Sequence, residues 1–178
     1  MKIRRVVTGH DDSGRSVFAS DDDVDGLRMD ILPGWEFFDM WGADATPTYP
    51  DAGAKPTAPA YFPAVDGFRF AFSVIPPKNT PAVEGVDPDD ALAAVNAALP
   101  GMMDHLEPDG FHTTDTVDME VILRGEVTLV LDDGQEKVLR AGDTVVQNGT
   151  RHVWRVDGDE PCLMAVFMLG AHRAGKDA

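Results

Sequence analysis

The chain has 178 residues, enough for one compact domain with an appendage and a real buried core. Hydrophobic residues make up 43% and charged residues 26%, as in ordinary globular proteins, so disorder, collagen-like repeats and coiled coils are poor fits. With 31 Asp and Glu against 15 Lys and Arg the formal charge is −16, a polyanion that repels phosphate backbones and anionic lipid, so neither nucleic acid nor membrane is expected as a partner.

The single cysteine, Cys162, excludes an intrachain disulfide framework and any thiolate metal cage. The longest apolar run, Cys162 to Ala171, is too short to span a bilayer, and the basic start at Lys2, Arg4 and Arg5 lacks the hydrophobic stretch of a secretory signal. A cytoplasmic protein is expected.

Three zones follow in chain order. In the first, Ile3 to Val7 and Ser16 to Phe18 flank a turn-forming stretch from Gly9 to Gly14, which predicts a hairpin or a pair of edge strands. The acidic cluster Asp21, Asp22, Asp23 and Asp25 reads as a solvated loop; it lacks the glycine and closing glutamate of a known calcium loop. In the second zone, Pro47, Pro50, Pro56, Pro59 and Pro63 dictate a loop, either a lid over a barrel mouth or a clamp on a neighbouring subunit. Phe68, Phe70 and Phe72 alternate with Arg69 and Ala71 as in a strand. Asp87 as N-cap, Pro88 at the first helical position and the acids Asp89 and Asp90 start a short helix. Its face carries Leu92, Val95 and Leu99, and Pro100-Gly101 stops it. The third zone is all strand and turn: β-rich runs at 117–123, 127–131, 136–139, 144–147, 152–156 and 163–169 alternate with short Gly/Asp turns, the texture of a sandwich or barrel.

The chemistry concentrates in this third zone. From His112 the side chains of Thr114, Thr116, Asp118 and Glu120 follow at even offsets, and a period of two places them on one face. Buried without partners, such groups cost about 1–3 kcal/mol each, so a polar face inside a barrel points to a bound ligand, metal or water. A second anchor is His152, with Trp154 on the same face and Gln147 just before the Asn148-Gly149 turn. His10, His105 and His172 read as surface residues, Cys162 as an inert buried thiol, and Phe167 and Met119 as core or pocket wall.

The run from Gly110 to Gly125, followed by Gly142 to Arg155, resembles the two motifs of the cupin superfamily, a likeness covering about residues 110–169. His112 matches the first histidine, Asp118 the glutamate by its spacing to Gly125, Gly149 the glycine and His152 the last histidine. Three positions depart: Thr114 stands where the second histidine belongs, Asp118 is shorter than glutamate, and Gln147 replaces a proline. A similar His-x-Thr-Asp-Thr-x-Asp stretch occurs in small bacterial cupins and in relatives encoded with fungal polyketide pathways.

The resemblance implies an all-β fold, an antiparallel jelly-roll barrel over residues 67–170. N-terminal strands and the proline-rich loop, residues 1–66, would pack on it and extend one sheet, and a short tail, residues 171–178, would follow. Pairing of the extra strands from two copies predicts a homodimer. It also implies a divalent metal, Fe, Mn, Ni or Zn, held by His112, Asp118 and His152, with the alternative that Thr114 signals its loss. Asp118, Glu120 and His152 are the candidate catalytic residues, and Thr114, Gln147 and Trp154 would line the substrate pocket. The expected activity is proton transfer on a small carbonyl compound: isomerisation, dehydration or decarboxylation. Iron-dependent dioxygenation and ligand binding without chemistry are the two alternatives.

Overall fold

Alternation of side chains along β5 and β10 organises the molecule. The computed structural model describes residues 1–175; residues 176–178, the end of the C-terminal tail, lie outside the described residues. The strands are β1 (Lys2–His10), β2 (Ser16–Asp25), β3 (Glu36–Ala43), β4 (Phe68–Ile75), β5 (Thr116–Arg124), β6 (Glu126–Val130), β7 (Glu136–Arg140), β8 (Thr144–Asn148), β9 (Val153–Arg155) and β10 (Cys162–Gly170). One helix, α1 (Pro88–Ala98), lies between β4 and β5. All strand pairs are antiparallel, in a five-stranded sheet ordered β3-β4-β10-β5-β8, a three-stranded sheet ordered β7-β6-β9, and a separate β1-β2 ribbon.

The two larger sheets face each other as the halves of a jelly roll. Ile75, Ile122, Cys162 and Met164 of the larger sheet pack against Val127, Leu129, Trp154 and Val156 of the smaller, each worth roughly 1.5–3 kcal/mol for a large side chain taken out of water. Farther along the same inward face of β4 and β5 the side chains turn polar, through Ser73, Glu120 and Asp118, and there the sandwich holds a cavity. A strand that alternates in register must send its other residues outward. Hence Met119 and Phe167, expected as core or pocket wall, are 40% and 36% exposed on the outer face.

Several other expectations change. β1 and β2 do not extend the five-stranded sheet; Ile3 and Val24 of the ribbon pack on Phe38, Met40 and Val74 at its outer side. The strand that does extend it is β3, paired with β4, so part of the segment placed outside the barrel supplies an edge of it. The acidic cluster is strand, not loop: Lys2, Arg4 and Arg5 lie opposite Asp25, Asp23 and Asp22, and Arg4 binds Asp21 through two hydrogen bonds of 2.7 and 2.6 Å. Cross-strand cations offset the repulsion that would otherwise keep four aspartates apart. The helix starts as expected, with the Asp87 carboxylate accepting from the backbone of Asp89 and Asp90, but it buries only Val95 and Leu99 while Leu92 is exposed. The proline-rich segment forms no helix or strand, and the Tyr61 amide ties it to the Pro100 carbonyl beyond α1 at 2.9 Å.

Candidate functional site

The two histidines meet as direct neighbours. His112, ahead of β5, and His152, at the entry to β9, exchange both backbone hydrogen bonds, at 2.9 and 3.0 Å, and their ring centroids are 4.2 Å apart. Gly149 makes the approach possible: its φ is +56°, and a Cβ there would sit 2.9 Å from the Thr114 carbonyl. His152 Nδ1 lies 2.9 Å from the Thr150 carbonyl and His112 Nδ1 3.4 Å from the Gly110 carbonyl. A carbonyl only accepts, so each Nδ1 carries the proton and each Nε2 keeps a free lone pair. Burial pushes the His152 imidazole down to about 4, helped by the adjacent His112, and burial pushes His112 down as well. Both rings are neutral at neutral pH.

The carboxylates stand on the other sheet. Asp118 and Glu120, two residues apart on β5, are 5% and 4% exposed, and each keeps one oxygen, Asp118 Oδ1 and Glu120 Oε2, with no hydrogen-bond partner. Burial raises Asp118 to about 6 against an opposing hydrogen bond from Thr116, and burial together with the Asp118 charge raises Glu120 to about 9. Near neutrality the pair therefore holds one proton, on Glu120, beside an ionised Asp118.

Around these four groups lies a cavity of about 310 Å³. Its walls are chiefly aromatic and aliphatic. Trp35 stacks on Phe37, whose ring meets Tyr61 edge-on, and Tyr61 meets Phe62 in turn. On the far side Trp154 packs edge-on against His152 at 5.8 Å. Phe62 also packs on His105, which is half-buried and reaches the Thr113 carbonyl at 2.9 Å, so His105 is not the surface residue expected. Among the described residues no lysine or arginine lines the cavity.

Of the residues expected in the site, His112, Asp118, Glu120, His152 and Trp154 all line this cavity. Thr114 and Gln147 are buried beside it without lining it. Gln147 donates to the Thr150 carbonyl at 3.1 Å and to the Thr150 hydroxyl, holding the turn that carries His152. Thr114 and Thr116 share a 2.8 Å hydroxyl contact. Thr116 in turn lowers the Asp118 carboxyl against the effect of its burial, so Thr114 touches the carboxylate's own polar neighbour.

Sequence reasoning missed the walls: Trp35 and Phe37 from β3 and its approach, and Tyr61-Phe62 from the proline-rich loop. The signal was present in an aromatic pair inside an otherwise polar loop, which needs an apolar surface to cover. The loop thus serves as a wall of the cavity.

Among the described residues no three of His, Cys, Asp and Glu come together as a group able to hold a metal ion. The imidazoles belong with the smaller sheet and the carboxylates with the larger, so His112, Asp118 and His152 do not assemble the three-ligand centre that the resemblance implies. Two neutral imidazoles and a carboxylate pair remain, facing one desolvated space.

No family model matches the chain. It is 32% identical over 153 residues to phomopsin biosynthesis cluster protein C' of Diaporthe leptostromiformis, a stretch covering 85% of this chain and 69% of that protein. To the cupin-domain-containing oxidoreductase srdB of Neurospora crassa it is 26% identical over 165 residues, covering 93% and 71% of the two chains. A cupin 2 conserved barrel domain protein from Salinispora arenicola, known from its crystal structure, is 17% identical, covers 81% of this chain and 82% of its own, and gives a TM-score of 0.41. Among the described residues no helix is long and apolar enough to cross a membrane. With its two facing antiparallel sheets, its paired motifs and these relatives, the chain belongs to the cupin superfamily.

Proposed function

We propose that the chain is a small-molecule enzyme that moves protons on an uncharged, flat, largely apolar carbonyl compound. One observation carries this reading: two buried carboxyl groups with unpartnered oxygens, one protonated and one ionised near neutral pH, aimed into an aromatic-walled cavity. Unequal acidities in a neighbouring pair supply a base and an acid at the same pH. The Asp118 carboxylate takes the proton from the carbon next to the carbonyl, and the electrons of that C–H bond form the new C=C bond. Glu120 gives its proton to the carbonyl oxygen, so the product is a neutral enol and the pair exchanges its protonation states. Where a second C=C bond is conjugated to the enol, Asp118 returns its proton at the far carbon as Glu120 takes back the hydroxyl proton and the carbonyl re-forms, which completes an isomerisation and restores both protonation states. The free Nε2 atoms of His112 and His152 accept from a substrate hydroxyl on the opposite wall. A substrate carboxylate or phosphate finds no cation among the lining residues and would meet Asp118, so anions are rejected.

The test is deuterium uptake by β-tetralone, a neutral enolisable ketone, followed by NMR in heavy water. The expected result is exchange above the buffer rate, lowered by about 10²-fold in Asp118→Asn, with no binding of β-naphthoate. Exchange at the buffer rate with bound ketone, or unchanged exchange in Asp118→Asn/Glu120→Gln, overturns it. A second reading, oxidation of the same class of molecule, is favoured by the name of the Neurospora relative and by the paired free Nε2 atoms. Stoichiometric iron lost on His152→Ala would replace the first reading with the second.

A further inference from the structure

A second cavity, of about 210 Å³, adjoins the first on the side of the proline-rich loop and the end of α1. Phe37, Tyr61 and Met168 line both spaces and so form the partition between them. The three are not equally firm. Phe37 is held on β3, paired with Ser73 of β4 and stacked on Trp35. Met168, on β10, is an unbranched thioether with three rotatable bonds, the side chain that refits most readily to a new neighbour. Tyr61 comes from the loop, tied there through its amide to the Pro100 carbonyl, and its ring meets Phe37 and Phe62 only edge-on, with centroids 6.1 and 4.8 Å away. Rotation of the Tyr61 and Met168 side chains joins the two spaces without moving a strand.

The chemistry of the second space limits what can fill it. Its lining beyond the partition is largely apolar, with Val24, Leu27, Ala58, Pro59, Ala71 and Leu99. Arg69 is the one cation among its described lining residues, and that guanidinium is spent: its five N–H groups donate to the carbonyls of Ala43, Ala60 and Phe68 and to the Asp44 carboxylate. Asp25 and Asp39 are exposed to water, and each already pairs with a lysine, Lys2 at 3.4 Å and Lys55 at 2.6 Å. An anion therefore finds no free donor there, and an ammonium group finds both carboxylates engaged. Apolar surface taken out of water is what such a space rewards. Size points the same way. The first cavity alone, about 310 Å³, stands at the bottom of the roughly 300–1,000 Å³ typical of small-molecule sites, and the two joined lie well inside that range.

We propose that the second cavity is a subsite for an uncharged apolar tail of the substrate, admitted past Tyr61 and Met168, which thereby set how long a molecule the chain accepts. Resting on the proton-transfer function proposed above, this assignment puts the ketone end against Asp118 and Glu120. The substrate is then a molecule of two parts: a flat enolisable head between the carboxylates and the imidazoles, and an alkyl or ring substituent of several carbons beyond Tyr61. A head without a tail leaves the second space unused. Each methylene buried there tightens binding by about 4-fold, from which opening the partition subtracts a fixed amount once.

The experiment is isothermal titration calorimetry with β-tetralone and its 6-alkyl and 7-alkyl derivatives bearing methyl, propyl or pentyl chains. The natural chain is compared with Ala98→Leu and Ala98→Phe. Ala98 ends α1, is exposed, and lines the second cavity but not the first, so a larger side chain there takes up tail space at a tolerant position; circular dichroism confirms folding. The expected result is an affinity that rises at least about 10-fold from methyl to pentyl in one of the two series, a rise reduced in Ala98→Leu and abolished in Ala98→Phe, with β-tetralone itself bound equally by all three proteins. A pentyl ketone that binds no better than the methyl one in both series, a rise that survives Ala98→Phe, or a pentyl chain ending in ammonium that binds more tightly than the plain one, overturns the proposal. Binding needs no turnover, so the two ideas fail separately: a length-dependent gain without deuterium exchange removes the enol chemistry and keeps the subsite, and exchange without such a gain does the reverse.

Discussion

Replacing Glu120 with glutamine removes a titration and keeps the shape, so the pH dependence of stability isolates what the cavity does to this one carboxyl. Glu120 is raised to about 9 in the folded chain, mainly by burial, against an ordinary 4.5. A group raised on folding stabilises fully below its unfolded value, and that contribution is lost as pH rises towards the folded one. Between about pH 6.5 and 8.5 the neighbouring groups titrate alike in the two proteins, so what they contribute cancels in the comparison: the unfolded histidines lose their remaining protons, folded His152, lowered to about 4, is neutral, and Asp118, raised to about 6, is largely ionised. Across those two units the folded chain retains the Glu120 proton that the unfolded chain has lost. At about 1.4 kcal/mol per unit the natural protein should lose about 3 kcal/mol relative to Glu120→Gln. For a chain of this size that is a fall in Tm of roughly 6–12 °C, absent in the variant. Urea unfolding at the two pH values, read by tryptophan fluorescence, measures it. Parallel pH profiles for the two proteins would refute the desolvated site and, with it, Glu120 as the acid.

Thr114→Val removes the buried hydroxyl that lies 2.8 Å from the Thr116 hydroxyl, and should cost about 1–3 kcal/mol while moving the Asp118 midpoint, which Thr116 influences. NMR titration of the Asp118 carboxyl separates this from a merely structural role, which would lower Tm and leave the midpoint in place. Cys162 is fully buried and its thiol is pushed up to about 11, so a thiol reagent near neutral pH should label it only after the chain is unfolded in urea. Gly125 has φ +82°, and a Cβ there would stand 2.7 Å from the Pro161 carbonyl oxygen. Gly125→Ala should therefore destabilise by about 1–3 kcal/mol, visible as a Tm drop with no change in the apparent pKa values of the site.

Local pattern was enough for much of this protein. Alternation from Thr116 to Glu120 told which side chains share a face, and the spacing of His112, Asp118, Gly125, Gly149 and His152 named the superfamily, because both are properties of a strand and its turns. The Asp87-Pro88 helix start was legible for the same reason: its capping bonds span three residues. What a face points at is not local. The alternation of Phe68, Phe70 and Phe72 with Arg69 and Ala71 showed a strand but not which side faces in; the phenylalanines lie outward, since Arg69, buried in a cage of backbone carbonyls with Asp44, shares the inward parity with Ala71 and Ser73. Four aspartates looked like a loop and form a strand because three cations arrive from the strand opposite. The histidines and carboxylates were each identified from spacing, yet only the stacking of two sheets puts the pairs on separate walls, empties the space between them of cations, and drives their acidities in opposite directions. Desolvation depends on everything packed around a group, and that sum is fixed by the tertiary structure alone.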